Sequence, residues 1–149
     1  MIFVLFPALV LAKGKLTFYC DSIGGPKEYR DSVLSIRLLP MGYDKVYVSI
    51  INSSGSRVEM EWENARIDGS HIASPDDYVF ELNRARQDEV ILPGSISSKL
   101  ICKRYSTLVP IIDKKKVKKE GLDSFTLMLP YRKDGKEIDL RIKVYAREE

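Results

Sequence analysis

Apolar residues recur at every second position over most of this chain, which is the period of a β-strand. Leu16, Phe18 and Cys20 alternate with Thr17 and Tyr19, and the same alternation returns in seven to nine segments separated by turn residues. No stretch has a convincing helical period. The sequence therefore predicts an all-β fold, a two-sheet antiparallel sandwich of seven to nine strands, with a small β-barrel as the alternative.

Two Asp-Gly pairs predict tight hairpins, one at Asp68-Gly69 and one at Asp134-Gly135. Asp-Gly suits the type I′ turn, whose two central residues have positive φ. Residues 104–121 are expected to form a long connection. The shared strand faces predict a core formed by Val46, Val48, Ile50, Val58, Met60, Trp62, Phe125, Leu127, Leu129, Ile138, Leu140, Ile142 and Val144.

The chain has 149 residues and a net charge of +3. That length predicts one domain, and we assign residues 13–149 to it. The small net charge does not select a nucleic-acid partner. We expect no cofactor, since a single histidine is too few for an ordinary zinc site.

The N-terminal stretch indicates where the protein is located. Residues 1–12 carry no charge and end in Val10-Leu11-Ala12, which is similar to the end of a secretory signal peptide with cleavage after Ala12. The stretch is shorter than a complete signal peptide, and the alternative is a buried first strand. If it is a truncated signal peptide, the protein is extracytoplasmic, either periplasmic or secreted.

Candidate catalytic groups are few. His71, the only histidine, directly follows a turn and has no nucleophile motif beside it, so we expect no catalytic residue and no enzyme activity.

Glu59, Glu61 and Glu63 lie roughly 6.6 Å apart along one predicted strand face, a spacing within reach of an inverting glycosidase pair. We expect instead a strand face whose charge is neutralised by cross-strand Lys or Arg. Trp62 is expected in the core rather than on a sugar-binding surface.

The only two cysteines, Cys20 and Cys102, are predicted to form a disulfide if the chain is exported. The alternative is two buried thiols that act as small apolar residues. A lysine run is the candidate for contact with an anionic surface, although a solvated loop is the favoured interpretation. It contains Lys114, Lys115, Lys116, Lys118 and Lys119.

Three stretches are similar to a known group of sequences. They are residues 45–69, with an Asn-rich turn before Trp62, residues 92–95, with a Pro-Gly-Ser corner, and Leu129-Pro130-Tyr131. The chain resembles uncharacterised bacterial exported proteins and lipoproteins that have an immunoglobulin-like β-sandwich. The resemblance implies that architecture and export, and it implies no reaction and no functional residue.

Together these features predict a non-enzymatic extracytoplasmic domain that binds or scaffolds a protein of the cell envelope. Sheets can recruit such partners by strand addition at an exposed edge. The alternative is a module that binds carbohydrate or another envelope polymer. An exposed apolar strand edge would favour the protein partner, and a flat row of exposed aromatic residues would favour the polymer. Membrane contact is expected only through the N-terminal stretch or an anionic lipid surface.

Overall fold

A computed structural model describes residues 15–74, 87–104 and 109–149. Within them the chain forms eleven strands, a 3₁₀ turn at Trp62–Asn64 after β5, and a short helix α1 between β9 and β10. The elements are β1 (Leu16–Cys20), β2 (Glu28–Arg30), β3 (Leu34–Met41), β4 (Lys45–Asn52), β5 (Val58–Met60), β6 (Arg66–Ile67), β7 (Ser70–Ala73), β8 (Glu89–Ile91), β9 (Ile96–Lys103), α1 (Lys114–Glu120), β10 (Asp123–Lys133) and β11 (Lys136–Glu148).

The predicted all-β fold is confirmed, and its architecture is the barrel alternative rather than the two-sheet sandwich. The strands form one sheet in the order β1-β11-β10-β6-β7-β9-β4-β3-β2, and β5 pairs with β10 and with β8. Every pair is antiparallel. The sheet curls into a nearly closed barrel, so the immunoglobulin-like sandwich was wrong.

The long strand β10 explains why two separate sheets do not form. One edge of β10 pairs with β11 over its whole length, and the other edge pairs first with β6 and then with β5. Leu127 lies opposite Ile67, and Tyr131 lies opposite Met60. The hydrogen-bonded pairing of strands therefore continues at the point where the two sheets of a sandwich would separate. A period-two pattern places one face inward in either architecture, so alternation alone does not distinguish them.

The interior of the barrel is apolar and contains most of the predicted core. Ile138 and Leu140 are exceptions, since they are only partly buried and pack against the core from its margin. They lie on β11 near the hairpin turn, whereas β1 covers β11 only from Val144 to Glu148. The C-terminal half of this strand is therefore the half that is buried.

Both predicted Asp-Gly hairpins are confirmed. Asp68 and Gly69 have φ angles of 49° and 81°, and Asp134 and Gly135 have φ angles of 52° and 75°. Positive φ at both central residues is the signature of a type I′ turn, whose twist matches that of the flanking strands. These turns join β6 to β7 and β10 to β11.

The expected connection at 104–121 contains the helix α1. The Asp113 carboxylate begins it by accepting hydrogen bonds from the backbone N–H groups of Lys115 (3.0 Å) and Lys116 (3.3 Å). Gly121, with a φ of 87°, ends it in the left-handed conformation that glycine adopts without strain. Val117 is the one buried residue of the helix, so the sequence carries no helical apolar period there.

The signal-like stretch at residues 1–12 lies outside the described residues. In the part of the chain that is described, no helix has the length and apolarity needed to cross a membrane.

Two substitutions on β11 test the observed burial. Ile142 is fully buried, so Ile142→Ala should cost about 2–5 kcal/mol of unfolding free energy through lost burial and a residual cavity. Leu140→Ala should cost clearly less, because its side chain is only partly buried. Urea denaturation measures both. Equal losses, or a larger loss at Leu140, would contradict the observed position of the strand.

Candidate functional site

The barrel is open between its first strand and the distal part of β3. Strand β1 pairs with β11 only, and β2 covers β3 only over residues 35–37. Among the described strands, none pairs with residues 38–41 of β3 on that side. A groove of about 850 Å³ lies there, which we call the β1–β3 groove. It is lined by Lys15, Leu16, Thr17, Phe18, Lys27, Glu28, Arg37, Leu38, Leu39, Pro40, Met41, Gly42, Tyr43 and Glu149.

The backbone of β1 presents hydrogen-bonding groups to this groove. The Glu149 N–H donates to the Lys15 carbonyl (2.7 Å), and the Asp21 N–H donates to the Lys143 carbonyl (2.8 Å). Odd-numbered residues of β1 therefore direct their backbone groups toward β11. Because these directions alternate along an antiparallel strand, Leu16 and Phe18 direct theirs toward the groove. No described strand pairs with them there.

The opposite side of the groove, on β3, cannot offer a complete ladder. The Ser53 N–H donates to the Val33 carbonyl, so odd residues of β3 face β4 and even residues face the groove. Pro40 is one of these even residues, and proline has no N–H to donate. Proline is tolerated within sheets at such edges, where it also discourages unwanted strand pairing. Strand addition is therefore favoured on β1.

The groove is mainly apolar with cations at its margin. Leu16, Phe18 and Leu38 pack with the core, whereas Leu39 and Met41 are 47% and 49% exposed on the outer side of β3. An apolar groove with a few polar groups at the margin is typical of a binding site. Lys15 and Lys27 supply positive charge at the β1 side.

The outer side of β1 is held by Tyr19. The tyrosine ring lies between the Lys27 ammonium, at 5.9 Å from the ring centroid, and the Arg147 guanidinium, at 5.4 Å. Its hydroxyl donates to the Glu149 carboxylate, and this hydrogen bond is the main reason that the pKa of Tyr19 is raised. The contacts with Arg147 and Glu149 fix β1 against β11.

Charged side chains of β11 and α1 surround Tyr43, which lines the groove. The Tyr43 hydroxyl donates to Glu148 Oε1 (2.6 Å), and Lys118 Nζ lies 3.0 Å from the same oxygen. These two contacts lower the pKa of Glu148. Burial and the hydrogen bond to Glu148 raise the pKa of Tyr43 to about 12. The Lys114 ammonium lies 5.7 Å from the Tyr43 ring centroid.

The predicted anionic-surface lysines are thus partly committed to the protein itself. Lys116 pairs with Asp123 at 3.5 Å, in addition to the contacts of Lys114 and Lys118. Of the five, Lys115 and Lys119 are exposed and form no ion pair within the described residues. Three of the five lysines hold α1 against the barrel, which reduces the charge available for an external surface.

The three glutamates are neutralised by arginines, as expected, and do not form a carboxylate pair. Arg132 lies 2.9 Å from Glu59, 2.9 Å from Glu61 and 2.9 Å from Asp88. The continuous strand predicted through Glu63 ends at Met60 instead. The three carboxylates therefore separate into two different ion-pair clusters.

The second cluster contains His71, which lies on β7 directly after the Asp68-Gly69 turn, between β6 and β9. Arg104 is bidentate to Glu63, with an Nη2–Oε2 distance of 3.1 Å, and its Nε–H donates to the Ile72 carbonyl (3.0 Å). His71 Nδ1 lies 3.5 Å from Glu63 Oε1. These contacts form an ion-pair cluster of Glu63, Arg104 and His71.

Trp62 is buried, as the sequence predicts, but in a 3₁₀ turn rather than a strand. Its indole N–H donates to Glu89 Oε1 (3.0 Å), which also accepts from the Ser97 hydroxyl (2.7 Å). The Lys99 ammonium lies 5.3 Å from the indole ring centroid. This tryptophan is therefore unavailable as a sugar-stacking surface.

The predicted disulfide is not formed in the structure. Cys20 belongs to the main core, whereas Cys102 packs with Ala73 in a separate buried cluster. Both lie in the described part of the chain, and no disulfide joins them. Burial, followed by the charges of Asp21 and Glu28, raises the pKa of Cys20 to about 11.

Residues 15–74, 87–104 and 109–149 hold no group of three His, Cys, Asp or Glu side chains suited to a metal ion.

No protein-family model matches the chain, and comparisons with curated proteins and with solved structures also gave no match. The groove is therefore interpreted from its own geometry. Sequence reasoning missed it because pairing between distant strands leaves no local pattern. Pro40, inside an alternating segment, is the one sequence signal that could have marked an open edge.

The thiol state can be measured by alkylation. At about pH 8, a pKa of about 11 leaves roughly one thousandth of Cys20 as thiolate, so native protein should react very slowly with iodoacetamide. In guanidinium chloride without reductant, both cysteines should be alkylated. Mass spectrometry counts the adducts. Modification that appears only after reductant is added would contradict the thiol state and support the disulfide predicted from the sequence.

The contact between Glu148 and Tyr43 beside the groove has a predicted pH dependence. Because the pKa of Glu148 is lowered from its usual value near 4.5, the ionised carboxylate stabilises the fold above that pH. This contribution is lost as pH falls through the folded-state pKa. Glu148→Gln should therefore lower stability at neutral pH, and the difference from wild type should vanish in acid. Denaturant titrations across this range measure it, with Glu120→Gln on the exposed helix surface as the control. A difference in stability between Glu148→Gln and wild type that persists unchanged in acid would contradict a stabilising role for the ionised Glu148 carboxylate.

Proposed function

We propose that this protein is a non-enzymatic extracytoplasmic barrel that binds a protein partner of the cell envelope. The partner contributes a short extended segment that pairs with β1 in the β1–β3 groove. The observation that carries the proposal is that Leu16 and Phe18 direct their backbone N–H and C=O groups into an apolar groove where no described strand pairs with them.

Strand addition matches the chemistry of this edge. In that binding mode, main-chain hydrogen bonds provide affinity, and side-chain pockets at alternate positions provide specificity. Leu16 and Phe18 are spaced by two residues, about 6.6 Å, so one partner strand can bond to both. Each such hydrogen bond contributes about 0.5–1.5 kcal/mol net, and burial of apolar side chains adds to it.

The width of the opening limits the length of the added segment. Some Cα atoms of β1 and β3 lie within 8 Å of each other. A strand inserted between two neighbours needs roughly 9.6 Å, twice the usual strand spacing. The groove therefore suits a few residues at its open end, beside residues 16–18, rather than a full-length strand.

The lining indicates the composition of that segment. One face meets Leu38 inside the barrel, and the other meets Leu39 and Met41 outside it, so apolar residues are favoured on both faces. The lining also carries Glu28 and Glu149, but these carboxylates are paired with Arg37 and Arg147. The ammonium groups of Lys15 and Lys27 therefore favour an acidic residue beside the apolar ones. A hydrophobic extended peptide with one carboxylate fits these requirements.

The polymer-binding alternative has less support. Flat sugar-binding surfaces use exposed aromatic rings, but Trp62 is buried. On the outer face of β4, the exposed Tyr47 lies opposite Leu39 and Leu100, which are aliphatic. Within the described ranges, no row of exposed aromatic side chains is present. The extracytoplasmic location rests on the signal-like stretch that ends at Ala12.

Photocrosslinking in the source cells tests the proposal. A photoreactive amino acid at Met41, which is 49% exposed in the groove, should give an adduct with one identifiable envelope protein recovered outside the cytoplasm. Val90 on β8, which is 46% exposed and outside the groove lining, is the matched control and should not give that adduct.

The purified partner then provides the decisive comparison. It should slow hydrogen exchange of the Leu16 and Phe18 amides, because those amides become hydrogen-bonded on binding. The proposal fails if both positions give the same adducts, if Met41 crosslinks only to polysaccharide or lipid, or if the partner leaves the two amides unchanged.

A further inference from the structure

The outer face of the sheet around β4 carries most of the exposed apolar side chains in the described residues. Nine large apolar side chains are exposed there, and five of them lie on this one face of β3, β4 and β9. The five are Leu39, Met41, Tyr47, Ile51 and Ile96, which are between 37% and 61% exposed. Monomeric proteins seldom leave so many apolar side chains together in water, so such a patch indicates an interaction surface.

The register of the three strands arranges this face in rows. Each row takes one outward residue from β3, one from β4 and one from β9. The rows are Leu39-Tyr47-Leu100, Arg37-Ser49-Ser98 and Ser35-Ile51-Ile96, which together we call the β4 face. The hydroxyls of Ser49 and Ser98 lie 3.1 Å apart in the middle row. A polar row therefore lies between two rows that are mainly apolar.

We propose that the β4 face binds the same face of a second copy of this chain, about a two-fold axis that runs parallel to β4. An interface of this symmetry uses one self-complementary patch on both copies. The proposal goes beyond the proposed function, because Tyr47, Ile51 and Ile96 lie outside the lining of the β1–β3 groove.

The three rows are self-complementary about this axis. The rotation exchanges β3 with β9 and brings each row against the same row of the second copy. Leu39 then lies against Leu100 of the second copy, whereas Tyr47 and Ile51, on the axis, each meet their own counterpart. Arg37 lies against Ser98 of the second copy, whose hydroxyl can accept a hydrogen bond from the guanidinium. Apolar side chains thus meet apolar ones, and polar side chains meet polar ones.

Charge selects this axis over the other two-fold axis that the face allows. Arg37 is the one charged residue in the three rows. An axis along the middle row would place it against Arg37 of the second copy, and like charges would oppose each other. The axis along β4 separates the two guanidinium groups by about two strand spacings, roughly 9.6 Å. Each guanidinium is also neutralised by Glu28 of its own chain, at 2.6 Å.

The size of the face indicates a weak dimer. Three rows on three strands cover roughly 14 Å by 20 Å at the usual spacings, well below the roughly 800 Å² per partner of a standard interface. Lys45, in the next row of β4, is paired with Asp44 at 3.3 Å and lies at the rim. Packed sheets cross at about 30°, so the two Lys45 side chains diverge at the strand ends. We therefore expect a Kd on the order of 100 µM.

Sedimentation equilibrium between about 10 µM and 1 mM tests the proposal across the expected Kd. The average mass of the wild type should rise from that of a monomer toward that of a dimer. Ile51→Lys and Ile51→Glu should each stay monomeric, because like charges then meet on the axis. An equimolar mixture of the two variants at low salt should form the dimer again, because opposite charges then meet there.

Leu92 provides the matched control, because it is 58% exposed and lies outside the β4 face. Leu92→Lys and Leu92→Glu should associate as the wild type does, alone and mixed. If the Ile51 variants do not fold, the same pair of changes at Tyr47, the other residue on the axis, repeats the test.

A wild type that remains monomeric at 1 mM would overturn the proposal, as would Ile51 variants that associate like the wild type. A mixture of folded variants that stays monomeric would also overturn it, because this axis requires residue 51 to meet itself. A monomeric wild type that sediments with phosphatidylglycerol vesicles would assign the face to a membrane surface instead.

Discussion

An antiparallel barrel has no edges only when its first and last strands exchange backbone hydrogen bonds, and among the described strands of this barrel β1 pairs with β11 alone. Every other feature of the groove depends on this gap. Leu16 and Phe18 direct backbone donors and acceptors into it, and the apolar side chains of β3 are left half covered beside it. An unpaired edge of this kind either recruits a strand or must be protected from doing so.

The surrounding residues restrict pairing to one side of the opening. Pro40 has no backbone N–H, so the β3 edge lacks one hydrogen-bond donor. The residues of β1 all have a backbone N–H. Glu28 accepts two hydrogen bonds from Arg37, at 2.9 and 2.6 Å, which hold β2 over the proximal part of β3. Tyr19, enclosed by two cations, anchors β1 on its outer side. The result is a short site in which only the β1 edge can pair with an added strand. Such a site suits the recognition of a specific segment better than indiscriminate strand pairing.

Much of the local structure could be predicted from the sequence, because its causes are local. The Asp-Gly hairpins at residues 68–69 and 134–135 follow from turn chemistry, and the inward faces of β4 and β10 follow from alternation. The sandwich was wrong because alternation is the same in a barrel, and the order of strands depends on pairings such as Leu127 with Ile67. The groove was missed for the same reason, since it lies where two distant strands do not pair. The helix α1 was missed because Val117 is its one buried residue.

The central claim is that β1 has an edge open to an added segment and does not close onto β3. Scalar couplings across hydrogen bonds test it most directly, since they identify the carbonyl that each amide nitrogen contacts. The account predicts that, in the complex, the Leu16 and Phe18 amides couple to carbonyls of the partner's peptide. Couplings to the carbonyls of Leu38 or Pro40 would show that β1 pairs directly with β3, and would contradict the account.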